Sequence, residues 1–429
     1  MKRMTIFAGI LAAALLLGSC GEDYVAVVEY VPAVDDVYYE EEYIPAAVAE
    51  VTAEAATAAD FLADLDYLMY ALENNFPFFY TVYWARGVDI HALAADARAA
   101  ILAADSPDAD VFLYILHESF APLFRMGHFS IFGPFGHYLW LHGYSAGTID
   151  GSEVFRSFLA QDHVMAFYGP RMEDFSAEAA ETAVNDISFD SIEPGRIAYM
   201  HIPRMRDPDD PAAVTDFFTA IAGYDHLIID IRGNPGGNNW FEQQIIRPNI
   251  TQAVSANLVV FHMNGSLMQF PDGPFFRAGL IGSPQGDVFT PAADFLAENP
   301  LPYANQADLD RMAYGFSARV SILPATRGYA AFNGEIWLLI DGATGSAAQI
   351  AAWLAKDIGF ATLVGEVSGG NYGGFRTYSA MPGTGIVFIF DGFYIADTAG
   401  RPLEAGTIPH YFNFDGMDAL ETTLELIAR

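Results

Sequence analysis

The first long regular pattern in the chain starts at Asp60. Phe61, Leu62, Leu65, Leu68, Met69 and Leu72 recur at three- and four-residue steps, and the run stops at Phe76-Pro77. That spacing puts apolar side chains on one face of a helix, and the proline ends it. The same period predicts a second helix over 89–104. A third is predicted over about 108–124, with Val111, Phe112, Ile115, Leu116 and Phe120 on one side. These three helices imply a small N-terminal helical domain, residues 58–128, closed by Arg125-Met126-Gly127-His128. Residues 129–195 turn Gly- and aromatic-rich, and the runs 138–141 and 164–168 read as strands of a β-rich connector.

From Arg196 the chain alternates between strand and helix. Strand 197–202 precedes helix 211–222, and the buried strand 226–231 runs into Arg232-Gly233-Asn234-Pro235-Gly236-Gly237 and a short helix near 240–245. Residues 263–330 are Gly/Pro-rich with one helical patch at 291–298, and read as an insertion over a site. Strand 336–340, a turn, helix 346–357 and strand 361–364 then form a crossover of the length a parallel pair requires. Residues 196–429 are therefore an α/β core.

The N-terminus follows a different logic. Lys2 and Arg3 precede an apolar stretch from Ile6 to Leu17, too short for an ordinary membrane span. It ends Leu17-Gly18-Ser19-Cys20, which resembles a bacterial lipobox. The resemblance implies a signal peptide at 1–19 and lipid on Cys20. A plain secretory signal with a chance cysteine is the alternative. Residues 20–57 centre on Glu40-Glu41-Glu42 without a clean period, and read as an acidic tether with room for one short strand. No later run is apolar enough to span a bilayer. The expected location is therefore extracytoplasmic, on the bacterial cell membrane or an outer membrane, with the membrane reached only through the anchor at Cys20.

Charge narrows the partners. Acidic residues number 54 against 20 Lys plus Arg, a formal net charge of −34. Such a surface repels phosphate backbones, so no nucleic-acid partner is expected. With Cys20 as the sole cysteine, an intrachain disulfide and a Cys-based zinc site are both excluded. His137 and His142, five apart in a loop, give weak support for a metal, and none is expected.

Two Gly-rich turns carry the chemistry. In Asp341-Gly342-Ala343-Thr344-Gly345-Ser346-Ala347-Ala348-Gln349 a strand ends and a serine opens a helix, where N–H groups point outward and the helix dipole favours negative charge. That suits a nucleophile and its oxyanion, and it equally suits an ordinary N-cap serine. The turn at Gly233–Gly237 supplies the glycines that a close backbone approach needs.

Together the turns carry a resemblance. Asp230-Ile231-Arg232-Gly233-Asn234-Pro235-Gly236-Gly237 resembles the Asp-x-Arg-x-Asn-x-Gly-Gly signature of tail-specific, C-terminal-processing serine peptidases and their tricorn-type relatives. Thr344 to Gln349 resembles that family's nucleophile segment, with Gln349 in place of the more usual Glu. Gly365-Glu366-Val367-Ser368-Gly369-Gly370 and Glu404-Ala405-Gly406-Thr407-Ile408-Pro409 resemble two later segments. The resemblance implies a crotonase-like core of stacked βαβ units behind a helical N-terminal domain. It also implies Ser346 as nucleophile, and N–H groups of Ala347 and of Gly236 or Gly237 as the oxyanion hole. No cofactor is implied.

The base separates the branches. One uses a lysine at the position held here by Asn371. Lys356, the only lysine besides Lys2, lies ten residues along the helix from Ser346, roughly 15 Å away. The tricorn-like Ser/His branch is left, and its histidine matches His128 and its glutamate Glu404, with His201 and His410 in reserve. Met126 and Gly127 depart from that branch's usual Asp-Gly-His or Ser-His. Gly143-Tyr144-Ser145-Ala146-Gly147 mimics a nucleophile elbow, but no helix start follows it. The expected function is a lipid-anchored serine peptidase acting on unfolded or C-terminal protein segments. The alternative is a catalytically silent relative that binds peptide or another ligand at the cell surface.

Overall fold

In the computed structural model, residues 57–105, 107–142, 152–173, 175, 187–208, 210–265, 267, 290–325, 331–372 and 376–429 are described. Residues 1–56, with Cys20, and Ser145 lie outside them. Helix α1 (Ala58–Asn75) starts where the Thr57 N–H and hydroxyl both donate to Asp60, at 2.7 Å each. A short helix, α2 (Thr81–Arg86), follows; its period is too brief to read from sequence. Asp89 caps α3 (Ile90–Ala103) and Asp108 caps α4 (Ala109–Phe120), each accepting from two backbone N–H groups.

Among its described residues, the stretch expected to be a β-rich connector is largely helical. After the two-residue strand β1 (Ser130–Ile131) come α5 (Pro134–Leu141), α6 (Ser152–Leu159) and α7 (Asp162–Tyr168). The runs 138–141 and 164–168 thus lie in α5 and α7, not in strands. A short apolar run does not distinguish the two states by itself. Here Pro134 favours a helical first turn, and Val164, Phe167 and Tyr168 are buried at helical spacing.

The remaining strands are β2 (Ser188–Glu193), β3 (Ile197–His201), β4 (His226–Asp230), β5 (Val254–His262), β6 (Thr290–Pro291), β7 (Tyr314–Ile322), β8 (Glu335–Ile340), β9 (Thr362–Gly365), β10 (Arg376–Ala380), β11 (Val387–Asp391), β12 (Phe393–Asp397) and β13 (Tyr411–Phe412). They form a six-stranded sheet in the order β13-β9-β8-β4-β3-β2, a four-stranded sheet β12-β5-β7-β6 and a three-stranded sheet β1-β11-β10. In the first, β3, β4, β8, β9 and β13 are parallel, and β2 closes one edge antiparallel. The helix Ala347–Asp357 crosses from β8 to β9 and buries Ala348, Ala351, Ala352 and Ala355. The expected insertion is partly sheet: β7 pairs with β5 over its full length, and only the helix Ala292–Glu298 matches the helical patch.

The N-terminal helices share a core with the late hairpin β10–β11. Phe61, Leu65, Leu68, Phe112 and Leu116 belong to one apolar cluster with Phe388, Phe390 and Tyr394. The Phe76 and Phe390 rings meet edge to face at 5.8 Å. Buried Asp64 of α1 accepts from Gly383 N–H, Thr384 N–H and the Thr384 hydroxyl at 2.7, 2.8 and 2.7 Å, tying the helix to the turn of that hairpin. This docking brings the loop after α4 to the carboxyl edge of the parallel sheet.

Candidate active site

Turns leave the carboxyl ends of β4, β8 and β9 side by side, the place where parallel sheets gather their functional groups. The residues of the Asp230–Gly237 turn lock them together. Arg232 grips Asp230 through Nε and Nη2 and reaches Asp418 with Nη1. Buried Asn234 donates through Nδ2 to Ile202 O and accepts the Gly236 N–H at 2.8 Å, while its carbonyl accepts the Gly345 N–H. Asp341 accepts the N–H groups of Gly233 and Ala343 and the Thr344 hydroxyl. One side-chain network therefore sets the position of Gly345-Ser346 relative to Gly236-Gly237.

Ser346 sits at φ 54° and ψ −122°, a sparsely populated conformation for any residue with a Cβ. Its N–H donates to Gly370 O at 3.0 Å and its carbonyl accepts from Ile350 N–H. The helix behind it and the strand-end loop beside it thus hold the strain and turn the hydroxyl out of the helix axis. The Ser346 side chain makes no cap hydrogen bond, so an N-cap role does not account for it.

His128 arrives from the end of the helical region. Arg125, Gly127 and His128 all have positive φ, at 72°, 50° and 49°, so the loop is tightly coiled. Gly127 is required there: a Cβ would lie 2.6 Å from Phe76 Cε2. The Ser346 hydroxyl donates to His128 Nε2 at 2.9 Å, and His128 Nδ1–H donates to Asp391 Oδ2 at 2.6 Å. This network assigns the Nδ1–H tautomer. The His128 side chain is 14% exposed and that of Asp391 is fully buried.

The carboxylate on the imidazole is therefore Asp391, not Glu404. Buried Glu404 accepts the Tyr372 N–H at 2.9 Å, and the backbone N–H groups of Gly127 and Asn371 also point at it. Asn371 Oδ1 accepts the His128 N–H at 2.7 Å. Glu404 and Asn371 thus hold the Gly127-His128 backbone, with Asn371 on the main chain of the histidine itself. Burial pushes the Glu404 carboxyl up to about 8, with nearby Asp391 adding to the rise, against the pull of the three N–H groups. A carboxyl raised above its unfolded value binds its proton more tightly when folded. Its contribution to stability is present below the ordinary value of 4.5 and is lost as pH climbs through about 8. Melting temperature should fall across that window, and E404Q, neutral at every pH, should flatten the fall. An equal slope in both proteins, followed by circular dichroism, would refute this.

Of the oxyanion donors expected from sequence, Gly236 is already engaged, since its N–H is held by Asn234 Oδ1. Among the described residues, no hydrogen bond engages the N–H groups of Gly237 and Ala347. Gly236 serves by closeness instead: a Cβ there would lie 2.7 Å from Ser346 Cβ and 2.8 Å from Ala347 N. Its φ of 102° also demands glycine.

Gln349 is fully buried and needs both ends of its amide. Oε1 accepts the Ser368 hydroxyl, Nε2 donates to Thr407 Oγ1 at 2.9 Å, and Thr407 N–H donates to Ser368 Oγ at 2.7 Å. The serine helix is thereby pinned to the segments that hold Asn371 and Glu404. Lys356 donates to Ile408 O at 2.6 Å. His410 Nδ1 accepts the Leu363 N–H, completing β9. His201 lines a cavity of about 440 Å³ with Tyr199, Asp230, Arg232 and Asp341, whose walls include neither Ser346 nor His128. His137 stacks on Tyr168 with ring centroids 4.0 Å apart, donates to or accepts from buried partners only, and is held down to about 4 by burial. Among the described residues no cluster of His, Cys, Asp or Glu is arranged to hold a metal.

Asp391 is the residue that sequence reasoning missed. Its signal was a charge closing the apolar run Val387-Phe388-Ile389-Phe390, which in a buried strand requires a partner.

A family model for peptidase family S41 matches residues 196–261 and 285–411. Over those two segments the chain is similar to peptidase family S41. No curated protein matches the chain by sequence. Among solved structures, a putative peptidase from Parabacteroides merdae is 15% identical, covering 87% of this chain and 98% of its own, with a TM-score of 0.53. Mature CPAF complexed with lactacystin is 12% identical, covering 86% and 97%, with a TM-score of 0.48. At 15% identity the first likeness is one of fold, a mixed α/β arrangement similar to S41 peptidases. The S41 match supports a serine-type peptidase.

Proposed function

We propose that this protein is an S41-type serine peptidase of the Ser/His branch, in which Ser346 attacks, His128 is the base and Asp391 orients it. The observation that carries the reading is the unbroken chain from Ser346 Oγ through His128 to buried Asp391, at 2.9 and 2.6 Å. His128 takes the serine proton through Nε2 as Oγ bonds to the peptide carbonyl carbon. It returns that proton to the leaving amine, and water then repeats the cycle on the acyl-enzyme. Asp391 keeps Nδ1 protonated, so that Nε2 offers its lone pair. The free N–H groups of Gly237 and Ala347 would receive the tetrahedral oxyanion. The departures that motivate a catalytically silent alternative are Met126, Gly127, Gln349 and Asn371, and the last three each have a local partner that supports the site. The core is best described as the crotonase-like spiral of this family, acting on unfolded or C-terminal protein segments. Cys20 after Leu17-Gly18-Ser19 supports a lipid anchor outside the cytoplasmic membrane. Among the described residues, no helix is long and apolar enough to cross a membrane. A fluorophosphonate should label the native protein and leave S346A unlabelled. Equal labelling of the two, or none of the native chain, would remove the assignment.

A further inference from the structure

Arg376 is the first residue of β10 and lies opposite Asp391 in the antiparallel ladder with β11. Directly opposed residues leave the same face of a sheet with Cβ atoms about 4.5–5.5 Å apart. The arginine therefore rises beside the carboxylate that holds His128. Alternation along the hairpin agrees. Tyr378, two residues on, packs on Phe155 and Phe158 of α6, whereas Phe390, next to Asp391, packs on Phe76 across the sheet. Asp391 turns its Oδ2 to His128 and makes no ion pair with Arg376. Among the described residues the Arg376 guanidinium has no hydrogen-bond or ion-pair partner, although it is half-buried. Burial disfavours its charge and only the field of Asp391 offsets this. A guanidinium carries five donors in a rigid fork and stays charged. Held partly out of water with none of them paired among the described residues, it has there no planar acceptor of the kind it matches best, a carboxylate. The rest of the molecule makes this matter: a chain of net charge −34 repels anionic peptide ends, so an anionic substrate group needs a local cation to approach.

We propose that Arg376 forms a carboxylate-binding subsite beside the Ser346–His128 pair and grips a substrate carboxylate through its fork. The carboxylate comes from a peptide C-terminus or from an acidic side chain. The subsite rests on the peptidase reading for its role in catalysis, but its ligand binding is measured without it. In the S346A chain, a short neutral peptide is titrated by calorimetry as its free acid, as its C-terminal amide, and as the amide with one glutamate introduced. A carboxylate-bearing form should bind at least about tenfold more tightly than the neutral amide, as a charge-assisted fork implies. The form that gains identifies the source of the group. R376Q in the same background should erase the difference, and R376K, which keeps the charge but not the fork, should keep part of it. Equal binding of the three peptides, no binding, or a preference that survives R376Q overturns the subsite. If R376Q does not fold, the preference in the S346A parent and its reduction by R376K decide. A chain that labels with fluorophosphonate but shows no preference loses the subsite and keeps the peptidase. A chain that prefers the carboxylate but does not label loses the peptidase and keeps the subsite.

Discussion

D391N should lower turnover by about 10³–10⁴-fold while the protein stays folded. Asp391 accepts the Nδ1 proton of His128 at 2.6 Å from the end of a fully buried strand. An asparagine amide in that place can present its N–H₂ to Nδ1. The ring proton would then move to Nε2, where it faces the serine and cannot receive the serine proton. Loss of charge also removes the stabilisation of the imidazolium that forms as the acyl bond is made. E404Q provides the contrast, because Glu404 touches backbone around the histidine and not its ring. Its turnover near neutral pH should stay within about tenfold of the native value, since the carboxyl it replaces is protonated there. Steady-state kinetics on one chromogenic peptide compares the two. If E404Q is the crippled protein and D391N the active one, the orienting role belongs to Glu404.

G236A should cost about 10²–10³-fold in kcat, the scale of one lost oxyanion donor, through displacement and not through chemistry. The new methyl would meet Ser346 Cβ at 2.7 Å and Gly345 O at 2.9 Å, and neither is the free end of a flexible side chain. The backbone at φ 102° adds strain of its own. Relief requires the turn after β4 to part from the turn after β8, which moves Ser346 and Ala347 together away from Gly237. KM for a short substrate should change far less than kcat, because the groups displaced are those that meet the transition state. A kcat within twofold of the native value would show that the two turns have slack that their hydrogen bonds do not suggest.

Much of this site could be read before any coordinates. Three helices announced themselves by period, and in the structure two of them begin at capping aspartates. The Asp230–Gly237 turn and Ser346 stood out only together, through the family signature that they resemble, since a buried strand ending in glycines is by itself an ordinary turn. What stayed hidden depended on partners distant in sequence. Asp391 lies 263 residues from His128, and nothing in the run before it says which histidine it will meet. Glu404 drew attention as the acidic residue of a late segment, yet its burial among backbone N–H groups, not its sequence position, determines what it can do. The helices at 134–168 were hidden for another reason. Short aromatic-rich runs suit either state, and here docking against α4 and the β10–β11 hairpin decided the outcome. Arg376 was invisible as well, because its significance is a register across a hairpin.

The three members of the proton-transfer chain stand at positions 128, 346 and 391, and the last rides on a hairpin that completes the core of the first helices. A polypeptide made amino end first consequently carries its histidine, and then its serine, before the carboxylate that would polarise them. For the proposed peptidase, latency during synthesis would follow from the order of the three residues alone, because the orienting carboxylate is made after both the serine and the histidine.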